Sequence, residues 1–192
     1  DNRDWIEVSC EGEGARIWWP NKDHITAEGD SVRMVYTVPS NLVAVGNGKL
    51  KSVKNLGNKT SYEWFVSNPI NNYNVSVQIG NYVAIQDTFL KGDQTHFMNH
   101  YVLDYNKELA SNFFPQSKEV IRFYEKYFGE YQWYEDGYKL IEVPYLGMEH
   151  QSAVTYGNGF SIYNGVRSKS WPMYGVIDPL IIHETGHEWF GN

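Results

Sequence analysis

The chain has 192 residues, room for one large domain or two small ones. Hydrophobic residues make up 42% and charged residues 20%, ordinary globular usage that excludes a disordered chain. The formal charge of -7 argues against a binder of nucleic-acid phosphates, no apolar run reaches the length of a membrane span, and the single Cys10 excludes a disulfide framework or a multi-cysteine metal site. Any metal must therefore be held by His and carboxylate.

Residues 1–80 read as β. Val32, Met34, Tyr36 and Val38 alternate with polar partners until Pro39 stops the run. Leu42–Val45 is a short apolar run ending at Gly46-Asn47-Gly48, a hairpin-type signal. Tyr62–Val66 is an aromatic and β-branched run, and Val75, Val77 and Ile79 alternate with Ser76 and Gln78. Strands this short, with frequent turns, suggest a sandwich or open sheet. Two Asn-x-Ser/Thr triplets, at Asn58 and Asn74, matter only in a eukaryotic secretory pathway.

From residue 81 the pattern changes. Tyr82–Ile85 and Thr95–Leu103 still read as strands. Pro115 then opens a helical stretch in which Val120, Ile121, Tyr124, Tyr127 and Phe128 share one face, with Gly129 as the stop. Leu140–Val143 reads as a strand ended by Pro144. Asp178-Pro179 predicts a last helix, with Asp178 as N-cap and Pro179 in the first turn.

That helix contains His183-Glu184-Thr185-Gly186-His187. Two His at i and i+4 leave the same helical face, so both imidazoles can reach one metal ion, and neutral imidazole suits zinc. Glu184 sits at the edge of that face, where its carboxylate can hold and deprotonate a water. Gly186 weakens the helix by roughly 1 kcal/mol relative to Ala, a cost that makes sense if something approaches closely there. Two protein ligands are one short of a catalytic zinc site. The spacing of His24, His96, His100 and His150 fixes none of them as the third.

Residues 183–192, His-Glu-Thr-Gly-His-Glu-Trp-Phe-Gly-Asn, match an extended zinc-helix motif, and Gly147-Met148-Glu149-His150 precedes it by a few tens of residues. In this ordered pair the chain resembles the aminopeptidase N family of zinc metallopeptidases, the gluzincin aminopeptidases, which include the leukotriene hydrolases. The segment Trp18-Trp19-Pro20-Asn21-Lys22-Asp23 and the strands that follow also resemble the family's amino-terminal domain. The resemblance implies zinc bound by His183 and His187, with Glu184 as general base. It implies that Glu149 binds the free α-amino group of a peptide substrate, that Gly147 and Met148 lie along that substrate, and that His150 helps shape the subsite. The family's second motif has Gly and Asn where this chain has Leu146 and His150. The third zinc ligand would be a Glu on a following helix, beyond Asn192.

The implied fold is α+β. Residues 1–80 would be the carboxyl half of an amino-terminal β domain of sandwich or saddle form. Residues 81–192 would be the sheet-rich first part of a thermolysin-like catalytic domain, ending in the zinc helix. We read the chain as a piece of a larger protein, so that alone it is expected to hold zinc weakly, to lack peptidase activity, and to self-associate through exposed Trp189 and Phe190. The competing readings are a thermolysin-like endopeptidase, which has no use for an amino-terminal anchor at Glu149, and a non-catalytic β-rich module with a vestigial zinc helix. No nucleic-acid partner and no membrane segment are expected.

Overall fold

A computed structural model describes residues 3–24, 26–160 and 177–191. The order in the first part is β1 (Ile6–Glu7), α1 (Ala15–Trp18), β2 (Glu28–Gly29), β3 (Val32–Pro39), β4 (Val43–Gly46), β5 (Lys49–Asn55), β6 (Lys59–Val66), β7 (Ile70–Asn71) and β8 (Val77–Gly80). The second part holds β9 (Tyr82–Lys91), β10 (Gln94–Leu103), α2 (Lys107–Phe113), α3 (Ser117–Phe128), β11 (Leu140–Glu142), β12 (Gly147–Met148), β13 (Val154–Tyr156) and α4 (Pro179–Phe190). The fold is thus α+β and rich in sheet. Among the described residues no helix is long and apolar enough to cross a membrane.

The first eight strands form small antiparallel sheets, ordered β1-β8-β4, β3-β6-β5 and β2-β7. Strand β3 alternates as its sequence predicts, burying Met34 and Val38 and exposing Arg33, Val35 and Thr37. Asn47-Gly48 does not close a hairpin. β4 pairs with β8 while β5 pairs with β6, so the turn carries the chain from one sheet to another. The reason is tertiary. Asn47 is wholly buried, with its amide donating to the carbonyls of Asn74 (2.9 Å) and Gln151 (2.8 Å).

The remaining strands form one five-stranded sheet in the order β12-β13-β11-β10-β9. β9 and β10 make a long antiparallel hairpin, and β10-β11 and β11-β13 are parallel. Strand period two divides this sheet between two cores. Met98, Val102 and Leu140 face a core shared with Phe114, Val120, Ile121, Leu180 and Ile181, where the helices lie. Tyr101, Leu103 and Ile141 face the other core, with Met34, Val45, Trp64 and Val66 from the small sheets.

Pro115 falls in a 3-10 turn, Phe114–Gln116, and α3 begins behind it at Ser117. Val120 and Ile121 are buried, but Tyr127 and Phe128 are 59% and 52% exposed. The apolar face therefore covers the core only over the first half of the helix. Trp189 closes the face at Tyr124, its ring stacked there with centroids 5.0 Å apart. Helix α2 is absent from the sequence expectation, because its heptapeptide Lys-Glu-Leu-Ala-Ser-Asn-Phe buries only Ala110 and is too short to show a period.

Candidate active site

Helix α4 begins as its sequence predicts. Asp178 caps it, its carboxylate accepting from Leu180 N at 2.8 Å, with Pro179 in the first turn. The same carboxylate accepts from Tyr156 Oη (2.8 Å) and Asn158 Nδ2 (3.0 Å), so the cap is also pinned to the end of β13. Farther along, Thr185 Oγ1 lies 2.7 Å from Tyr138 Oη. Glu188 Oε1 accepts from Ser152 N at 2.7 Å, and Trp189 Nε1 donates to Gly129 O at 2.9 Å. Four separate segments thus fix the rotation of the helix about its axis.

Gly186 meets something close, as its cost suggests. A Cβ built there would lie 2.6 Å from Tyr124 Oη, which donates to Ile182 O at 3.0 Å. The tyrosine hydroxyl rests on the helix backbone in the space a side chain would fill.

The rotation so fixed sets His183 and His187 on one side, ring centroids 5.0 Å apart. Potential ligand atoms of His183, Glu184 and His187 lie within 4.8 Å of one another. His187 Nδ1 lies 2.9 Å from Gly191 O. A carbonyl only accepts, so Nδ1 carries the proton and the Nε2 lone pair is left for a metal, the usual outer-shell arrangement. Burial above all pushes His183 below the ordinary imidazole pKa, toward the neutral form that ligation requires. The donor set therefore fits zinc. The other imidazoles described do not join it. His24 bonds Thr26, His96 stacks on Tyr134, and His100 Nδ1 accepts from Leu140 N at 2.9 Å.

Strand β12, at the edge of the five-stranded sheet, lies against α4. A Cβ on Gly147 would fall 2.7 Å from Glu184 Oε1 and 3.0 Å from Leu180 Cδ1, so a side chain there would push the ends of these two side chains aside. Met148 is buried. Glu149 is 8% exposed and accepts from Tyr73 Oη at 2.9 Å. His150 is wholly buried, and among the described residues neither ring nitrogen has a hydrogen-bonding partner; burial pushes it down to about 3 and keeps it neutral. Its ring offers no surface to solvent.

Glu184 is 6% exposed. Burial first, then the charges of Glu149 and Glu11, push its carboxyl up to about 8. Glu11 and Tyr73 are thus parts of the site that sequence reasoning did not reach. Glu11 lies in Cys-Glu-Gly-Glu-Gly, where nothing separates it from Glu13. Tyr73 lies in Asn-Asn-Tyr-Asn, where the polar neighbours read as a loop. Asn74 is wholly buried, with its amide bonded to Asn71 Oδ1 and accepting from Gln151 N, so the triplet at Asn74 is structural. Phe190 is 60% exposed, as the sequence suggests. Trp189 instead packs between Tyr124 and Tyr131.

No protein-family model and no curated protein sequence matches the chain. Solved structures do. An M1 zinc metallopeptidase from Deinococcus radiodurans aligns with a TM-score of 0.77 at 18% identity, over 97% of this chain and 40% of that one. A point mutant of the same enzyme bound to a Tyr-Ser-Ala substrate aligns at 0.75 and 18%, with the same coverage. A two-domain form of the mutant bound to L-arginine aligns at 0.72 and 16%, again with that coverage. The chain therefore shares the fold of these metallopeptidases and spans 40% of their length.

Proposed function

We propose that this chain supplies the first part of the active site of a zinc aminopeptidase, which removes single residues from the amino terminus of peptides. The observation that carries this reading is the nearness of the His183–His187 pair and Glu184 to Glu149, which follows β12, an edge strand among the described residues. A peptidase centre needs the first group, and an amino-terminal anchor is useful only to an exopeptidase. The shared fold and the Tyr-Ser-Ala substrate of the similar metallopeptidase are in keeping with it. In this reading residues 1–80 belong to an amino-terminal β domain and 81–192 to the catalytic domain, and a third metal ligand comes from a helix after Asn192.

His183 and His187 would hold zinc, which when bound supplies Lewis acidity to the scissile carbonyl and lowers the pKa of the attacking water. Glu184 takes a proton from that water as its oxygen attacks the carbonyl carbon. When the C–N bond breaks, Glu184 passes the proton to the departing amine nitrogen. Glu149 binds the substrate ammonium, and Glu11, whose charge reaches the same place, adds a second anionic group. Gly147 and Met148 at the sheet edge accompany the substrate backbone as an added strand.

The test is Glu184→Gln in the full-length protein carrying this chain. Zinc content measured by atomic emission should stay at one per site while turnover of an amino-acid anilide falls by about 10²–10⁴. Unchanged turnover would remove Glu184 from the chemistry.

A further inference from the structure

The reading above gives Glu149 an ammonium to hold, but a carboxylate on a short loop can turn away from its ligand. Its side chain has one hydrogen-bonding partner in the described structure, and that partner comes from the other half of the chain. Tyr73 Oη lies 2.9 Å from Glu149 Oε1, across a separation of 76 positions in the sequence. A carboxylate accepts only, so the hydroxyl donates. Both side chains are buried, at 9% and 8% exposure. Burial, and then the charge of Glu149, hold the hydroxyl far above the ordinary phenol pKa, so it stays a donor at any working pH.

The distance between the two loops is itself braced. Gln151 N, two residues after Glu149, donates to Asn74 Oδ1 at 2.7 Å, one residue after Tyr73. Asn47 Nδ2 donates to the carbonyls of both Asn74 and Gln151, at 2.9 and 2.8 Å. Asn71 Oδ1 accepts from the backbone and side-chain nitrogens of Asn74, at 3.0 and 2.9 Å. Two loops locked together on one side, with a single hydroxyl–carboxylate bond between them on the other, hold a side chain in a set orientation.

We propose that Tyr73 is the positioning residue for Glu149: its hydroxyl occupies Oε1 and thereby turns Oε2 toward the substrate's ammonium group. The inference rests on the aminopeptidase reading. It predicts that selection for a free amino terminus depends on the Tyr73 hydroxyl as well as on the Glu149 charge.

The experiment compares two anilide substrates that differ only in the α-amino group, one carrying it and the other with hydrogen in its place. The readout is the ratio of their kcat/KM values in the full-length protein. Tyr73→Phe keeps the ring and removes the donor. It should lower the ratio about tenfold, mainly through a higher KM for the amino substrate, and leave the des-amino substrate within twofold. Glu149→Gln should lower the ratio further. If Glu149→Gln leaves the ratio unchanged, the aminopeptidase reading fails and this inference with it. If Glu149→Gln collapses the ratio while Tyr73→Phe preserves it, the reading stands and Tyr73 has no positioning role. Equal loss on both substrates in Tyr73→Phe would make the tyrosine merely structural and also overturn the proposal. Should Tyr73→Phe not fold, Tyr73→Gln, which keeps a donor, must retain a higher ratio than Tyr73→Leu; equal ratios would overturn the proposal.

Discussion

Tyr82 shows how a single proton can be counted in this fold. Its hydroxyl accepts from Trp5 Nε1 at 2.8 Å and has two oxygens beside it, the Glu142 carbonyl at 2.7 Å and Glu7 Oε1 at 2.5 Å. It has one hydrogen to give, and a carbonyl can only accept. All three contacts of the Tyr82 hydroxyl become hydrogen bonds when Glu7 carries a proton and donates it to Tyr82, which then donates to Glu142 O. Burial pushes the Glu7 carboxyl up to about 8, against the Tyr82 and Trp5 hydrogen bonds, with the Glu142 charge adding to the rise. A carboxyl raised in the fold stabilises it fully below its ordinary pKa, near 4.5, and that contribution is lost as pH rises through about 8. Urea unfolding should therefore show stability falling between pH 5 and 8.5, by up to about 1.4 kcal/mol per pH unit for one proton. Glu7→Gln should flatten that fall, and parallel curves for the two proteins would contradict the proton count. At Gly147 the residue scale meets chemistry. A methyl there would sit 2.7 Å from Glu184 Oε1. If Glu184 is the base proposed above, Gly147→Ala in the full-length protein should lower kcat/KM by about 10², the effect of displacing that group by about an ångström, while the unfolding midpoint changes little. Full activity in the alanine variant would mean Glu184 is free to move.

The element that matters most is α4, and its two ends have different origins. Asp178 and Pro179 start it by local chemistry, which is why the start is legible in the sequence. Its middle is set by neighbours. In an isolated helix Gly186→Ala would gain about 1 kcal/mol. Here the new methyl would fall 2.6 Å from Tyr124 Oη, and relieving that contact costs about 1–3 kcal/mol. Gly186→Ala is thus expected to gain nothing and to destabilise by up to about 2 kcal/mol in urea. Combining it with Tyr124→Phe, which removes the contacting oxygen, should recover part of the loss. Additive losses in the double variant would show that the two groups do not compete for one space. The same distinction explains α3. Its period correctly marks a face, but a period cannot say how far a core extends, and Tyr127 and Phe128 run past its edge.

At the scale of the whole molecule, one seam joins the small sheets to the segment bearing Glu149. Lys139 is 4% exposed and donates to Gly48 O and Ser152 O, each at 2.7 Å, and Ser152 Oγ accepts from Gly48 N at 2.8 Å. Burial pushes this ammonium down to about 7, with Glu188 and Asp136 acting the other way. Lys139→Met would leave two buried carbonyls without that donor, and about 2–5 kcal/mol of stability should be lost in urea unfolding. A loss under 0.5 kcal/mol, on the order of a surface change, would show that the seam carries little. Nothing in Gly-Tyr-Lys-Leu-Ile announces this lysine, just as nothing in Cys-Glu-Gly-Glu-Gly announces Glu11. The β character of residues 32–66 and the His183–His187 pair depend on spacing within one element, and spacing is what a sequence displays. Asn47, Tyr73 and Lys139 take their roles from partners 13 to 104 residues away, which no local pattern encodes. The proposed aminopeptidase site joins both kinds of residue, a His183–His187 helix legible in the sequence and a Glu149 anchor completed by the fold. It is tested most directly by giving the full-length protein one peptide in two forms, free and amino-acetylated, and reading the products by mass. Stepwise loss of residues is expected from the free form alone, abolished by a chelator. Internal cuts in both forms would contradict it and make Glu149 an ordinary buried carboxylate.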